Sequence, residues 1–354
     1  MKKVKEFLHK KDINISAKLY FVDAMGAMAQ GLFATLLMGT ILKTLGQYTG
    51  LLFLIQAASF ATSATGAVLG LSVAFALKAP PLVLYSASVV GLIGYDLGIT
   101  YITAAGAEKV LAAGPAGSFL TAIVACEIGK LVYKQTKIDI LVTPVTVILA
   151  GFGVAKLICG PIAWVMAELG NFINTATVLQ PVLMGIIISA IVGIILTLPI
   201  SSAAICAMIG ISGIAGGAAA AGCCAQMVGF AVISFKENKW GGLVAQGLGT
   251  SMLQMGNIVK NPRIWIPATA ASMITGPLAS AVFKLECTGV SAGMGTCGLV
   301  GPLGIFSATS EKDAMFWIGL LLVCFLLPAI LSLIFSEILR KIGWIKENDM
   351  KLEL

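Results

Sequence analysis

Long apolar runs, separated by short polar or glycine-rich stretches, follow one another along almost the whole chain. The runs continue for about twenty residues at a time, the length that an α-helix needs to cross the hydrocarbon core of a bilayer. Strands of an outer-membrane barrel would instead alternate apolar and polar residues over about ten positions. The pattern therefore predicts an all-α polytopic membrane protein with about nine or ten membrane-embedded helical segments.

Composition and charge support this class. Hydrophobic residues make up 58% of the chain and charged residues 11%, against about 45–50% and 25% in soluble domains. The net charge of +7 comes largely from lysines beside predicted spans, and such lysines favour the cytoplasmic side of the membrane. Their distribution predicts a plasma-membrane protein with both termini in the cytoplasm. We see no basic patch with interleaved aromatic residues, so nucleic acid is not an expected partner.

Residues 286–304, called here the glycine-rich segment, are costly to place inside a membrane. The segment combines several glycines, a carboxylate and a row of hydroxyls between two apolar stretches. Lipid cannot satisfy free backbone amides, so irregular backbone survives at membrane depth only where protein or water surrounds it. We interpret the segment as a re-entrant loop that lines a solute site. An ordinary loop outside the membrane is the alternative, since stretches rich in Gly and Pro usually connect elements at the surface.

Other interruptions shape the predicted topology. Glycines break residues 203–235, which form either one long span or two short helices folded back at Gly216-Gly217. Both ends of this stretch are predicted to be cytoplasmic, which favours the folded-back pair. Residues 242–259 are weakly apolar and are predicted to lie at the surface or to form a broken helix. Residues 160–174 are interpreted as a separate interfacial amphipathic helix.

The predicted organisation has four parts. Residues 1–16 carry apolar side chains on one helical face and lysines around the rest, which predicts an amphipathic helix on the cytoplasmic membrane surface. Two membrane repeats follow, residues 17–175 and 176–340, the second containing the glycine-rich segment. Residues 341–354 form a cytoplasmic tail.

A short sequence similarity within the chain bears on how the two repeats are related. Residues 137–144 and 261–268 both join a cation to an apolar pair and a proline. The two repeats would begin on opposite sides of the membrane, as in the inverted repeats of many secondary transporters. Chance similarity between apolar stretches explains this resemblance equally well.

Ionisable side chains within the spans are the first candidates for function. Each costs about 2.5–3.5 kcal/mol on insertion scales, so it needs a partner, water or a functional reason. Near Glu286, hydroxyls and exposed amides offer the donors and acceptors that a polyhydroxy ligand requires. Instead of binding a ligand, Glu286 could form an ion pair with Lys284 at the membrane interface, which would be purely structural. For Gln226, hydrogen bonding between helices is the alternative to ligand binding. The candidate substrate-binding residues are Glu286, Thr288, Ser291, Gly293, Gly295, Thr296, Glu127, Asp23 and Gln226.

Metal, cofactor and catalytic sites are not expected. The chain has eight cysteines and one histidine, His9, and the cysteines lack the spacing of a zinc site or a disulfide framework. Buried free thiols are the expected state of the cysteines. We see no paired catalytic constellation and no cofactor motif, so a membrane enzyme is the least favoured function.

Three motifs carry a family resemblance: SAGMGTCGLVGPLG, LVTPVTVILAG and GGAAAAGCCAQMVGF. Taken together, they resemble the stand-alone membrane IIC subunits of the bacterial phosphotransferase system, in particular the branch of perfringolysin O regulator-like proteins. The resemblance implies a sugar-type permease core that forms a homodimer and works with cytoplasmic phosphorylating subunits. A fused IIA- or IIB-like domain is not recognisable and His9 is poorly placed for phosphorylation, so phosphorylation of a solute would need separate subunits.

The leading functional prediction is a transporter of a small polar solute, sugar-like in chemistry. The alternative is a membrane-embedded sensor or regulator with the same fold. The short cytoplasmic segments show no recognisable output domain, which counts against the alternative.

Overall fold

The computed structural model describes residues 11, 13, 16, 18–102, 108–177, 179–310 and 312–352. The predicted amphipathic helix at residues 1–16 lies almost entirely outside these ranges. The chain divides into two compact units, one of Met1–Leu36 with Phe60–Val165 and the other of Leu37–Ser59 with Met166–Leu354.

The first unit is mostly helical, and small residues let its helices approach closely. A Cβ built on Gly70 would lie 2.7 Å from the Cα of Gly91, and one built on Gly94 would lie 2.6 Å from the carbonyl oxygen of Gly117. Only glycine permits backbones to pack at these distances, as is common between membrane helices. The unit contains Leu19–Ala24 (π), Met25–Leu32, Thr65–Ala76, Pro81–Asp96 and Gly114–Val132, with parts of Phe33–Leu37 (π), Leu52–Ser63 and Asp139–Ala176.

A β-hairpin is the one strand pair in the described part of the chain. Gly98–Ile102 pairs in antiparallel fashion with Glu108–Ala112, and Thr100 lies opposite Val110. Ile99, Thr100 and Tyr101 belong to the residue types that favour strands. We did not predict this hairpin from the sequence, because the alanine and glycine around it masked a run of only five residues.

The helix Asp139–Ala176 is continuous over 38 residues, which corresponds to about 57 Å at 1.5 Å per residue. The prediction of a separate interfacial helix at residues 160–174 is therefore wrong. Pro161 lies inside the helix without ending it. Proline is tolerated in membrane helices when local adjustments satisfy the carbonyl groups that it leaves free.

The second unit is organised around one buried helix, Gly213–Ile233, called here the central helix. Over the most apolar 18 residues of this helix, 89% are buried inside the protein. It packs against Pro181–Thr197, Ile266–Pro277 and Leu327–Lys341. The remaining helices of the unit are Met38–Thr49, Ser202–Met208, Phe235–Val244, Met255–Lys260, Gly289–Ala292, Val300–Ala308 and Ala314–Leu321.

Short π and 3-10 turns extend several of these helices. The π turns are Ala245–Gly249, Leu278–Val282 and Leu322–Leu326, and the 3-10 turns are Ser251–Gln254, Pro262–Trp265 and Cys297–Leu299. Residues 235–261 thus alternate between α, π and 3-10 geometry and are called here the broken segment. The prediction of a broken helix at residues 242–259 is confirmed.

The central helix corrects the prediction of a fold-back at Gly216-Gly217. Both glycines lie inside the helix, and the break comes earlier, where Gly210 and Gly213 have φ values of +64° and +60°. A glycine pair in an apolar run fits either a turn or a close contact between backbones. Here the close contact accounts for Gly216 and Gly217.

The all-α polytopic membrane class is confirmed. Among the described residues, five helices are long and apolar enough to cross a membrane, or up to six if the bent pair Leu52–Ser63 and Thr65–Ala76 forms one span. Three shorter apolar helices accompany them: Pro81–Asp96, Pro181–Thr197 and Cys297–Ala308.

Candidate functional site

The glycine-rich segment starts beside the N-terminal end of the central helix. The amide of Cys287 donates to the carbonyl of Gly213 at 3.1 Å, and that of Gly289 donates to the carbonyl of Ile211 at 2.8 Å. A Cβ on Gly216 would lie 2.0 Å from the carbonyl oxygen of Cys287. The extended chain at the start of the segment therefore lies directly on the helix backbone.

The segment then reaches the middle of the central helix. Gly295 has φ +54°, and a Cβ there would lie 2.7 Å from the carbonyl carbon of Cys223. Cys223 is ten residues from each end of the helix Gly213–Ile233. A helix of 21 residues is about 31 Å long, close to the thickness of the hydrocarbon core, so Gly295 packs half-way along a span of membrane length.

From this point the segment returns to the end where it began. The amide of Gly301 donates to the carbonyl of Gly295 at 2.8 Å, which closes the turn. At the far end, Thr309 Oγ1 accepts a hydrogen bond from the amide of Glu286 at 3.1 Å and donates one to its carbonyl at 3.4 Å. Glu286 at the start of the segment is thus joined to Thr309, five positions after its last residue, and residues 295–301 form its tip.

The broken segment reaches the same place from the opposite end of the central helix. It begins after Ser234, whose hydroxyl accepts a hydrogen bond from Gln246 Nε2 at 2.8 Å. The next residue, Gly247, accepts a hydrogen bond at its carbonyl from Thr296 Oγ1. The two segments therefore touch at Thr296 and Gly247.

A buried polar cluster lies beside this contact. The fully buried side chain of Gln226 is one helical turn beyond Cys223, on the same face of the central helix. Gln226 Nε2 donates to Thr269 Oγ1 at 3.0 Å, and Gln226 Oε1 accepts from Trp265 Nε1 at 3.1 Å. The hydroxyls of Thr197 and Ser251 are 2.8 Å apart, and Thr197 Oγ1 also lies 3.5 Å from Gln226 Oε1.

The predicted site residues within the glycine-rich segment differ in how far their side chains are exposed to solvent. Glu286 is half-buried, and its carboxylate forms no hydrogen bond or ion pair with any residue in the described ranges, Lys284 included. Thr288 is exposed and Ser291 is half-buried. Gly293 and Thr296 are buried, and Ser202 Oγ donates to the carbonyl of Gly293 at 2.7 Å. The segment thus offers one carboxylate and two hydroxyls at its mouth, and packed backbone further in.

Glu127 and Asp23 belong to the first unit. Glu127 Oε1 accepts a hydrogen bond from Tyr20 Oη at 3.1 Å and lies 3.4 Å from Lys130 Nζ. Its other oxygen, Oε2, is buried and has no hydrogen-bond partner among the described residues. Asp23 is exposed on the π turn Leu19–Ala24. A local cation and hydroxyl therefore offset the charge of Glu127.

Five polar residues of this region were missed by sequence reasoning: Thr197, Ser202, Ser251, Trp265 and Thr269. Each lies within or beside an apolar run, with no motif around it. Thr197 ends a helix, and Ser202 and Ser251 each begin a helical turn. Contacts between residues 39 or more positions apart, such as Trp265 with Gln226 and Ser202 with Gly293, bring them together. The sequence signal that could have pointed to them is a hydroxyl next to a break in an apolar run.

Comparison with known proteins places the chain in a family. A family model described as phosphotransferase system, EIIC, matches residues 22–352. No curated protein and no solved structure matches the chain. The match covers nearly all of both units, including the central helix and the glycine-rich segment. The chain belongs to the EIIC family of the phosphotransferase system, and it is a multi-pass plasma-membrane component of solute transport.

Proposed function

We propose that this protein is a permease for a small polyhydroxy solute of sugar-like chemistry, and that the solute binds along the glycine-rich segment, between its mouth and the point where it meets the broken segment. The contact of Thr296 with Gly247, beside the C-terminal half of the central helix, carries this proposal. In many transporters the solute site lies near the bilayer midplane, between helices interrupted at that depth. The two segments supply that kind of interruption from opposite ends of one helix.

The glycine-rich segment has the geometry of a re-entrant loop in this proposal. Its first residue, Glu286, is joined to Thr309, and its tip packs on the middle of a helix of membrane length. Irregular backbone of this kind is tolerated in a membrane where protein encloses it or where it lines a water-filled cavity. Both the packing against the central helix and the polar mouth agree with that requirement.

The chemistry at the site suits neutral hydroxyl groups. The Glu286 carboxylate accepts hydrogen bonds, and the hydroxyls of Thr288 and Ser291 both donate and accept. The Gln226 amide lies deeper, in the buried polar cluster, where it binds Thr269 and Trp265. Gly293 and Gly295 let the segment pack directly on the backbone at Ser202 and Cys223, and Thr296 fixes the tip. These residues form the proposed solute site. Glu127 and Asp23, in the first unit, are each proposed as a further candidate for binding a proton or solute.

We infer the partners and orientation from the sequence and the family. Lysines beside the spans support cytoplasmic termini. Membership of the phosphotransferase system supports separate cytoplasmic subunits that phosphorylate the solute, and the resemblance supports a homodimer and the perfringolysin O regulator-like branch. No observation favours the sensor alternative.

Replacing Glu286 by glutamine tests the solute site. The variant keeps the shape of the side chain and removes its charge, and hydrogen bonds to charged groups are worth about 1.5–3 kcal/mol. We expect solute affinity to fall more than about tenfold, measured by the ligand-dependent thermal shift of purified protein across a panel of sugars and polyols. The half-exposed Glu337, which pairs with Lys236 at 3.2 Å, supplies the control Glu337→Gln, which should bind as the wild type does.

Two results would count against this assignment. Wild-type affinity in Glu286→Gln would remove Glu286 from the site. An equal loss in Glu337→Gln would show that the effect comes from general destabilisation. Binding without uphill uptake in Glu286→Gln would instead assign the carboxylate to proton coupling.

A further inference from the structure

The chain beyond Lys341 folds back against the second unit. The helix Leu327–Lys341 ends at Gly343, which has φ +80°, and the amide of Trp344 donates to the carbonyl of Leu339 at 2.9 Å. This is a common way for a helix to end on glycine. Ile345 and Met350 are then buried, with 2% and 0% of their surface exposed. Residues 342–352, called here the tail, are therefore docked.

Amide side chains of the broken segment hold the main chain of the tail. Asn238 Nδ2 donates to the carbonyl of Met350 at 2.7 Å, and Asn238 Oδ1 accepts from the amide of Leu352 at 2.7 Å. Asn261 Nδ2 donates to the carbonyl of Trp344 at 3.0 Å and to Asp349 Oδ2 at 2.7 Å. These two asparagines clamp both parts of the tail.

Three further amides form a ladder that the tail completes. Asn257 Nδ2 donates to Gln254 Oε1, and Gln254 Nε2 donates to Gln246 Oε1, both at 2.9 Å. Gln246 Nε2 donates to the Ser234 hydroxyl at 2.8 Å and to the carbonyl of Gly242 at 3.0 Å. The tail carbonyls of residues 350 and 351 accept from Gln254 and Asn257, each at 2.9 Å.

The tail therefore decides whether the ladder is complete. A side-chain amide has two N–H donors, and each of the three ladder amides has two acceptors when the tail is docked. Without the tail, Gln254 and Asn257 would each keep a buried N–H without its acceptor. A fully satisfied buried network is rigid, whereas a half-satisfied one is not.

The ladder ends at the proposed solute site. Gln246 is followed by Gly247, whose carbonyl accepts the hydrogen bond from Thr296 at the tip of the glycine-rich segment. Ser251, between the ladder residues Gln246 and Gln254, contacts Thr197 in the buried polar cluster. The tail is thus connected to the site through side chains of the broken segment.

We propose that the tail is a strap that positions the broken segment for solute binding, with Gln254 and Asn257 as positioning residues. The expected effect of the tail on solute binding rests on the proposed solute site. Its effect on the order of the broken segment is independent of that site. Releasing the strap frees residues 245–254 to move away from the tip and weakens solute binding.

The test compares three forms of the chain and a fourth, shortened form that ends at Gly343. In the first, Asn238→Ala with Asn261→Ala removes both clamps and leaves the ladder residues in place. In the second, Asn238→Ala is combined with Asn261→Cys and Asp349→Cys, a pair chosen to reattach the tail by a disulfide because Asn261 Nδ2 contacts Asp349 Oδ2 at 2.7 Å in the wild type. The third is the wild type. Each is measured by hydrogen–deuterium exchange over residues 245–254 and 295–301, and by solute affinity in the thermal-shift panel.

We expect backbone amide exchange in residues 245–254 of the alanine pair to rise at least about tenfold, because the side chains of Gln254 and Asn257 lose their acceptors on the tail and no longer hold the segment in one conformation. Solute affinity should fall by a similar factor. The oxidised cysteine pair should match the wild type in both measurements and resemble the alanine pair once reduced. A chain ending at Gly343, which removes the strap entirely, should exchange as the alanine pair does.

Two outcomes would overturn the proposal. Wild-type exchange over residues 245–254 in both the alanine pair and the shortened chain would show that the tail does not order the broken segment. Faster exchange with unchanged solute affinity would show that the tail orders the segment without positioning the site. If the wild type bound no solute in the panel, the proposed function would fail, and the exchange data would still decide the role of the strap.

Discussion

Replacing Gly217 by alanine should destabilise the protein severely. A Cβ at this position would lie 1.8 Å from the carbonyl oxygen of Leu285 and 2.7 Å from its carbonyl carbon. Both neighbours are backbone atoms, so no side-chain rotation relieves the overlap. Either the central helix or the start of the glycine-rich segment must shift. Overpacking of this kind costs about 1–3 kcal/mol and sometimes more. The measurements are the yield of monodisperse protein and the apparent melting temperature.

Gly153→Ala provides the matched control. Gly153 lies in the helix Asp139–Ala176, and a Cβ there would meet no atom within 4 Å. Alanine is favoured over glycine inside helices by about 1 kcal/mol, so this variant should be as stable as the wild type or more so. Equal behaviour of Gly217→Ala and Gly153→Ala would contradict the close packing of the glycine-rich segment on the central helix.

Replacing Gly295 by valine should abolish solute binding. Gly295 has φ +54°, a conformation that a β-branched residue rarely adopts. Its Cβ would also lie 2.7 Å from the backbone of Cys223. Strain and overlap act together at the tip of the segment, so we expect the tip to leave the middle of the central helix. The measurement is solute binding, with the yield of folded protein recorded in parallel.

Gly289 separates the two causes. It has φ +50°, but a Cβ there would meet no atom within 4 Å. Gly289→Val therefore introduces the backbone strain, which costs roughly 1–3 kcal/mol, without the overlap. We expect Gly289→Val to bind solute more weakly than the wild type but more strongly than Gly295→Val. The reverse order would show that contact with Cys223 does not hold the tip.

The membrane class could be predicted from the sequence because it depends only on the length and continuity of apolar runs. The glycine-rich segment was also recognisable, since polar and glycine residues between apolar runs are unusual at any depth of a membrane. What could not be predicted is the surface that receives the segment. Gly216 and Gly217 lie about 70 positions before Cys287 and Leu285, and a glycine pair carries no information about its distant partner.

The docking of the tail could not be predicted from the sequence either. Residues 341–354 were predicted to be a simple cytoplasmic tail, because a short stretch with several lysines looks solvated. The amides that hold it, such as Asn238 and Asn257, are spread over the broken segment and belong to no motif. Docking depends on their matching the spacing of the tail's main-chain carbonyls, which a sequence pattern does not encode.

Solute protection of a single thiol tests the central claim most directly. All eight native cysteines are buried, so a thiol placed at exposed Thr288 should account for most labelling by a hydrophilic maleimide. Ser307→Cys, exposed on the helix Val300–Ala308, is the control. If solute binds along the glycine-rich segment behind the mouth at Thr288, a solute that stabilises the protein should slow labelling of Thr288→Cys at least about tenfold and leave Ser307→Cys unchanged. Equal labelling of Thr288→Cys with and without a bound solute would contradict the account.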